Sequence, residues 1–301
     1  MKPSSRKSAS GIASDKVKKS PKQKLRLIFG ILFLLVFSLL YYSFDIEPYQ
    51  LVTENIAVNT EGANRTLRIA VFSDTHLKKN YPVSALWNVV EHLNAEKPDV
   101  VVFLGDLYDD YDKWHDDAGV IEALSAIQAP LGKMAVWGNR DYGGGAQKAY
   151  LSILDQSGFT LLQNSNWYIP VCSEHSVLFT GLDDAVFGNP VYPEETQVYE
   201  SSLKILLMHE PDQFAEYTGY GSDLAVAGHT HGGQSALVPL SWRSRDLQSR
   251  YNKGLYTENG VQLYVTSGIG TTHISARFLM PPSITIITAG IDCSSAASSA
   301  S

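Results

Sequence analysis

The sequence predicts an α/β protein, two packed sheets flanked by helices, carried behind a single membrane-spanning helix. Three observations lead there. Residues 27–44, LIFGILFLLVFSLLYYSF, carry no charge, and at 1.5 Å per residue a helix of that length spans about 27 Å, close to the hydrocarbon thickness of a bilayer. From Thr66 onward, short apolar runs alternate with stretches whose apolar residues recur at helical spacing. After about Thr160 the apolar runs follow one another as strands. An alternating half followed by a strand-rich half suggests two sheets packed together with helices outside them.

Taken in order, residues 1–24 read as a basic cytoplasmic tail, rich in Lys and Ser and too poor in large apolar side chains to order itself. Residues 25–44 read as the anchor. A cleaved signal sequence would have a shorter apolar stretch and small residues at its cleavage site. Here Tyr-Tyr-Ser-Phe-Asp-Ile-Glu-Pro follows instead, and no twin-arginine pair precedes the run. Nine of the 24 Lys/Arg but only one of the 31 Asp/Glu lie before Leu27. That bias holds the N-terminal end in the cytoplasm and places the rest of the chain outside.

Residues 45–65 read as a connector and 66–290 as the folded domain. Leu67–Phe72 is a buried-strand pattern closed by Ser73-Asp-Thr-His76. Val83–Leu93 is helical, and Asp99–Leu104 is a second strand closed by Gly105-Asp106. A helix over Ala118–Ile127 leads to a third strand, Lys133–Trp137, closed by Gly138-Asn139. Ala146–Leu154 is the next helix. Strands then follow at Val177–Thr180, Lys204–Leu207, Leu224–Ala227, Val261–Val265 and Ile284–Thr288. Residues 291–301, Ser- and Ala-rich, read as a disordered tail.

Composition excludes some functions. The residues after Arg26 hold 15 basic against 30 acidic side chains, a poor match to the clustered Lys/Arg of a nucleic-acid groove. Cys172 and Cys293 make neither a disulfide framework nor a thiolate zinc site, and they read as two unpaired thiols.

Chemistry gathers at the carboxyl ends of the predicted strands, where α/β sheets assemble their sites. There the chain places Asp74 and His76, then Asp106 and Asp109, then Asn139, Arg140 and Asp141, then His209, then His229 and His231. Carboxylate, amide oxygen and imidazole without thiolate suit Mn, Fe, Zn or Co. A carboxylate between two such cations can bridge them, lower the pKa of a shared water and clamp phosphoryl oxygens.

The strings Ser-Asp-Thr-His (73–76), Gly-Asp-Leu-Tyr-Asp (105–109), Gly-Asn-Arg-Asp (138–141), Met-His-Glu-Pro (208–211) and Gly-His-Thr-His-Gly-Gly-Gln (228–234) resemble the calcineurin-like metallophosphoesterases, in that family's order. The tethered topology and the last string resemble its small membrane-associated bacterial branch. The resemblance runs from about Thr66 to Ala289. It implies a four-layer α/β/β/α sandwich and two divalent ions. Asp74, His76 and His231 would hold the first ion, Asp106 would bridge, and Asn139, His209 and His229 would complete the second. Asp109 would orient ligands through hydrogen bonds. The implied reaction is direct attack on phosphorus by a metal-activated hydroxide. A phosphodiester or pyrophosphate of an envelope or lipid-linked substrate fits a tethered site outside the cytoplasm. The alternative is a tethered protein that keeps the metals without turnover.

Arg140 departs from the pattern, because many members carry His there. Guanidinium keeps its proton near neutral pH and is a poor general acid, but it binds phosphate oxygens bidentately and stabilises developing charge. This favours good leaving groups. His273 is the substitute proton donor to consider. His92 reads as a helix-surface residue, and His115 and His175 as solvated. Trp242, Arg243 and Arg245 read as a loop near the groove, and Phe278-Leu-Met-Pro-Pro as an apolar turn.

Overall fold

The structure, a computed structural model, describes residues 20–59, 61–143, 145–173, 175–195, 200–236 and 249–293. Most of the basic tail, the Ser/Ala tail beyond Cys293, and Trp242, Arg243 and Arg245 lie outside the described residues.

The chain divides into two units, up to Tyr41 and from Tyr42 onward. The first contains one described helix, α1 (Pro21–Tyr41), without a buried residue. With the turns after it, it is long and apolar enough to cross a membrane.

The second unit is built on two six-stranded sheets. The first contains β1 (Val52–Val58), β2 (Arg65–Phe72), β3 (Val100–Phe103), β4 (Gly132–Ala135), β5 (Phe159–Leu161) and β12 (Ser283–Ile291), in the order β1-β12-β2-β3-β4-β5. β2, β3, β4 and β5 run parallel, and β12 is antiparallel to β2. The second contains β6 (Ser165–Pro170), β7 (His175–Gly181), β8 (Glu200–Leu207), β9 (Leu224–Ala227), β10 (Gly254–Glu258) and β11 (Val261–Val265), in the order β10-β11-β9-β8-β7-β6.

Period-two alternation explains the layering. On β2 and β3, Ile69, Val71, Val100 and Val102 meet Val177, Phe179, Ile205, Leu207 and Val226 of the second sheet in one core. The intervening Ala70, Phe72, Val101 and Phe103 pack instead under α2 (Val83–Ala95), α3 (Asp117–Ser125) and α4 (Gln147–Gln156). Both faces of these strands are buried, which is why they read as continuous apolar runs. The far face of the second sheet, with Leu206, Ala225 and Ala227, is covered by Phe214 and Tyr217 of the short α5 (Phe214–Tyr217) and by Tyr251. The result is the expected layered sandwich, with a thin fourth layer among the described residues.

Four findings differ from the sequence reading. Residues 45–65 are not a connector. Tyr42–Ile46 forms a π turn, Glu47–Tyr49 a 3₁₀ turn, and Val52–Val58 pairs in parallel with Ser283–Ala289. Second, the cysteines are not free: Cys172 and Cys293 form a disulfide across 121 residues, with Cα atoms 5.9 Å apart. It ties a residue two past the end of β6 to one two past the end of β12, and so links the two sheets. Third, β12 extends to Ile291, so the domain continues past residue 290. His175, expected in a solvated stretch, begins β7 with both ring nitrogens buried.

Candidate metal centre

Six strand ends build one site, because β2, β3, β4, β8, β9 and β11 all release their loops toward it. Asp74 N donates to Gly105 O at 2.9 Å, His76 N to Asp106 O at 3.1 Å, and Gly228 N to His209 O at 3.0 Å, so neighbouring loops are stitched by main-chain bonds. Asp74, His76, Asp106, His229 and His231 all take left-handed backbone angles, φ between 40° and 70°. Such angles are uncommon outside glycine, and they cluster where side chains must be thrown into a site. Close approach does the rest. A Cβ on Gly138 would collide with the Asp106 main chain and carboxylate, and one on Gly228 would lie 2.7 Å from Asp74 Oδ2.

Asp74, His76, Asp106, His209 and His231 converge in the interior. Asp106 Oδ2 lies 3.3 Å from His76 Nε2 and 3.4 Å from His209 Nε2. Asp74 Oδ1 lies 3.9 Å from His76 Nε2, 3.9 Å from His209 Nε2 and 3.7 Å from His231 Nε2. The Nε2 atoms of His76 and His231 are 3.0 Å apart. Asn139 Oδ1 is 3.1 Å from His229 Nδ1, and the His229 ring stands edge-on to His209 with centroids 5.1 Å apart. All seven residues named as ligands are therefore neighbours. Asp109 lies just outside, with Oδ1 at 3.3 Å from His76 Nδ1 and Oδ2 at 3.4 Å from Lys78 Nζ.

The donor set fits divalent cations. His209 Nδ1 faces Leu104 O at 2.6 Å, which assigns its proton to that nitrogen. Its buried Nε2 lone pair then points at the Asp106 carboxylate with no hydrogen-bond partner. Acceptors face acceptors, and a positive ion between them resolves the conflict. Without one, protons take its place. Burial would lower His209, but Asp106 more than reverses this and holds it well above its ordinary pKa. Burial would raise the Asp109 carboxyl, yet His76, Lys78 and Arg140 bring it down to about 2.

Arg140 gives its main-chain N–H to Asp106 Oδ1 at 2.7 Å and its Nη2 to Thr272 Oγ1 at 3.3 Å. Its guanidinium lines a cavity of about 370 Å³ with Lys78, Lys79, Lys113, Trp114 and His273. His273 is exposed on that rim. His92 and His115 stand apart, bonded to Asn88 O and Tyr111 O on their own segments.

Sequence reasoning missed two buried charges and gave a third, Asp141, no role. Asp141 accepts Asp106 N and Gly138 N on Oδ2 and Leu107 N on Oδ1, at 2.8–2.9 Å, and so joins the β3 and β4 loops. Arg277 is buried and donates to the carbonyls of Ser267, Gly268, Gly270 and Met280. Glu47 is buried against Leu279 and Met280. Lone charges inside apolar strings, as in Ala-Arg277-Phe, are the available sign.

A two-sheet sandwich with a carboxylate–imidazole centre at its strand ends defines a metal-dependent phosphoesterase. The calcineurin-like phosphoesterase profile matches residues 67–233, and the chain belongs to that family. It is 34% identical over 226 residues to YkuE, an uncharacterized metallophosphoesterase of Bacillus subtilis, covering 73% of this chain and 78% of that one. It is 29% identical over 268 residues to Cj0846 of Campylobacter jejuni, also an uncharacterized metallophosphoesterase, covering 87% and 70%. A transmembrane protein with a metallophosphoesterase domain from Danio rerio is 31% identical over 234 residues, covering 73% of this chain and 52% of that one.

Proposed function

We propose that the domain is a membrane-anchored, binuclear phosphohydrolase acting outside the cytoplasm on a phosphodiester or pyrophosphate of an envelope or lipid-linked substrate. One observation carries the binuclear part. A single oxygen, Asp106 Oδ2, lies 3.3 Å and 3.4 Å from imidazole nitrogens of two different loops, the placing expected of a bridge. Asp74, His76 and His231 would hold one ion with Asp106, and Asn139, His209 and His229 the other. Divalent ions there supply Lewis acidity and bring the pKa of bound water toward neutrality.

The chain's own groups do the remainder. Asp109 Oδ1, 3.3 Å from His76 Nδ1, would fix the tautomer of that imidazole. Arg140, braced on Thr272, presents a permanent positive charge to phosphoryl oxygens. Lys78, Lys79, Lys113 and Arg140 outnumber Asp109 and Asp110 around the adjoining cavity, although the chain beyond Arg26 is acidic by 15 charges. That local reversal of sign suits an anionic leaving group. The disulfide supports placement outside the cytoplasm, where such bonds persist, and α1 supports the anchor.

The test uses the full chain in detergent, stripped of metal and reloaded with Mn, Fe, Zn or Co. It is assayed on mono- and bis-nitrophenyl phosphate beside Asp106→Asn. Expected is hydrolysis restored by metal and lost by at least ~100-fold in the variant, with the diester preferred. Full activity in stripped protein or in Asp106→Asn would sink the reading. Metal binding without turnover would favour a tethered binding protein.

A further inference from the structure

The turns at Tyr42–Tyr49 dock on the domain residue by residue. Ser43 O accepts Arg277 N at 2.9 Å, and the Tyr42 ring meets Phe278 edge-on with centroids 6.4 Å apart. Glu47, 1% exposed, accepts Leu279 N at 2.9 Å on Oε2 and Met280 N at 2.5 Å on Oε1. Tyr49 stacks on Tyr81 at 5.5 Å and donates its hydroxyl to Asn80 O at 3.0 Å. Three of the four main-chain donors of the segment 277–280, all but that of Phe278, thus end on these turns.

Three of these four residues, Arg277, Phe278 and Met280, reach the loop that carries His231. Arg277 Nη2 lies 3.5 Å from His231 Nδ1 while serving the carbonyls of Ser267, Gly268 and Gly270. Phe278 N donates to Gln234 O at 2.9 Å and Ala236 N to Phe278 O at 3.0 Å. The Met280 side chain packs so closely on Gly232 that a Cβ there would collide with it. A buried carboxylate with two main-chain N–H groups makes charge-assisted bonds, and its loss leaves both donors unpaired. Nothing else described offers those donors an acceptor.

We propose that Tyr42–Tyr49 is a working part of the metal centre. Glu47 fixes residues 277–280, these set the position of the His231 imidazole, and Glu47 and Arg277 act as positioning residues. The proposal rests on His231 being a metal ligand, as read above.

The test titrates full-length, metal-free protein in detergent with Mn, reading free Mn by electron paramagnetic resonance and following thermal unfolding in parallel. Glu47→Gln and Arg277→Lys are each expected to weaken Mn affinity about tenfold, as outer-shell changes do, while unfolding stays cooperative. Asp45→Asn, two residues away, is expected to match the parent. Parental Mn affinity in Glu47→Gln would overturn the proposal. Should the Glu47 variants lose cooperative unfolding, Arg277→Lys decides it, and parental affinity there overturns it equally. His231→Ala separates the two readings. Parental affinity in that variant removes the ligand assignment and the proposal together, whereas weakened affinity beside a parental Glu47→Gln removes the positioning role alone.

Discussion

Arg140 sits where a proton donor would be useful and offers a fixed charge instead. Its guanidinium is oriented by Thr272, and its main chain holds Asp106. Arg140→Ala is expected to lower kcat/KM on bis-nitrophenyl phosphate about 100-fold, the usual loss on removing one transition-state donor. Arg140→Lys should recover only part, because a point charge replaces a planar fork. A parental rate in Arg140→Ala would place the guanidinium outside the chemistry. Protons should compete with metal at the same site. In metal-free protein Asp106 overcomes the lowering effect of burial on His209 and keeps that imidazole protonated above its ordinary range. The ion must displace that proton, so affinity should fall as pH drops. Mn titrations at about pH 8 and about pH 6 check the sign. At this scale the sequence was informative where a side chain followed an apolar run: Asp74, Asp106, His209 and His229 could all be read that way. Glu47 and Arg277 could not, since their partners are main-chain groups that only tertiary folding brings close.

Among elements, the legible strands were those buried on both faces, such as β2, β3 and β9. β1 was missed because Thr53, Glu54 and Asn55 interrupt its apolar pattern, as befits a strand at the sheet edge with exposed positions. β5 has only three residues, and β6 buries only Ile169, so neither shows a continuous buried run. The Cys172–Cys293 bond was illegible for another reason, as a separation of 121 residues gives spacing nothing to say. A link closing so long a loop restricts the unfolded chain strongly. Cys293→Ser is therefore expected to cost about 2–4 kcal/mol, seen as a lower urea midpoint, with reductant lowering the parent equally. An unchanged midpoint would mean the bond contributes nothing in solution. A fragment beginning at Asn55 removes Glu47 and half of β1's register. It should bind Mn more weakly than one beginning at Tyr42.

For the whole molecule, the proposed anchor and the domain make a joint prediction about sides of the membrane. Protease added to intact cells should remove a tag placed after residue 301 and spare one placed before Met1. The opposite pattern would put the domain in the cytoplasm and leave the disulfide without its oxidising compartment. The layered fold itself could be read from the order of strands and helices, whereas the pairing of β1 with β12 could not. That pairing has a consequence in time. β12 lies between β1 and β2, so both strands must wait, unpaired on that side, until residues 283–291 have left the ribosome. Over two hundred residues of chain separate the partners, and closure of so large a loop is slow. Until then the nascent domain has an open slot in its first sheet. Until that slot is filled from the far end of the chain, Glu47 has no Leu279 or Met280 to hold, and the centre cannot close on metal.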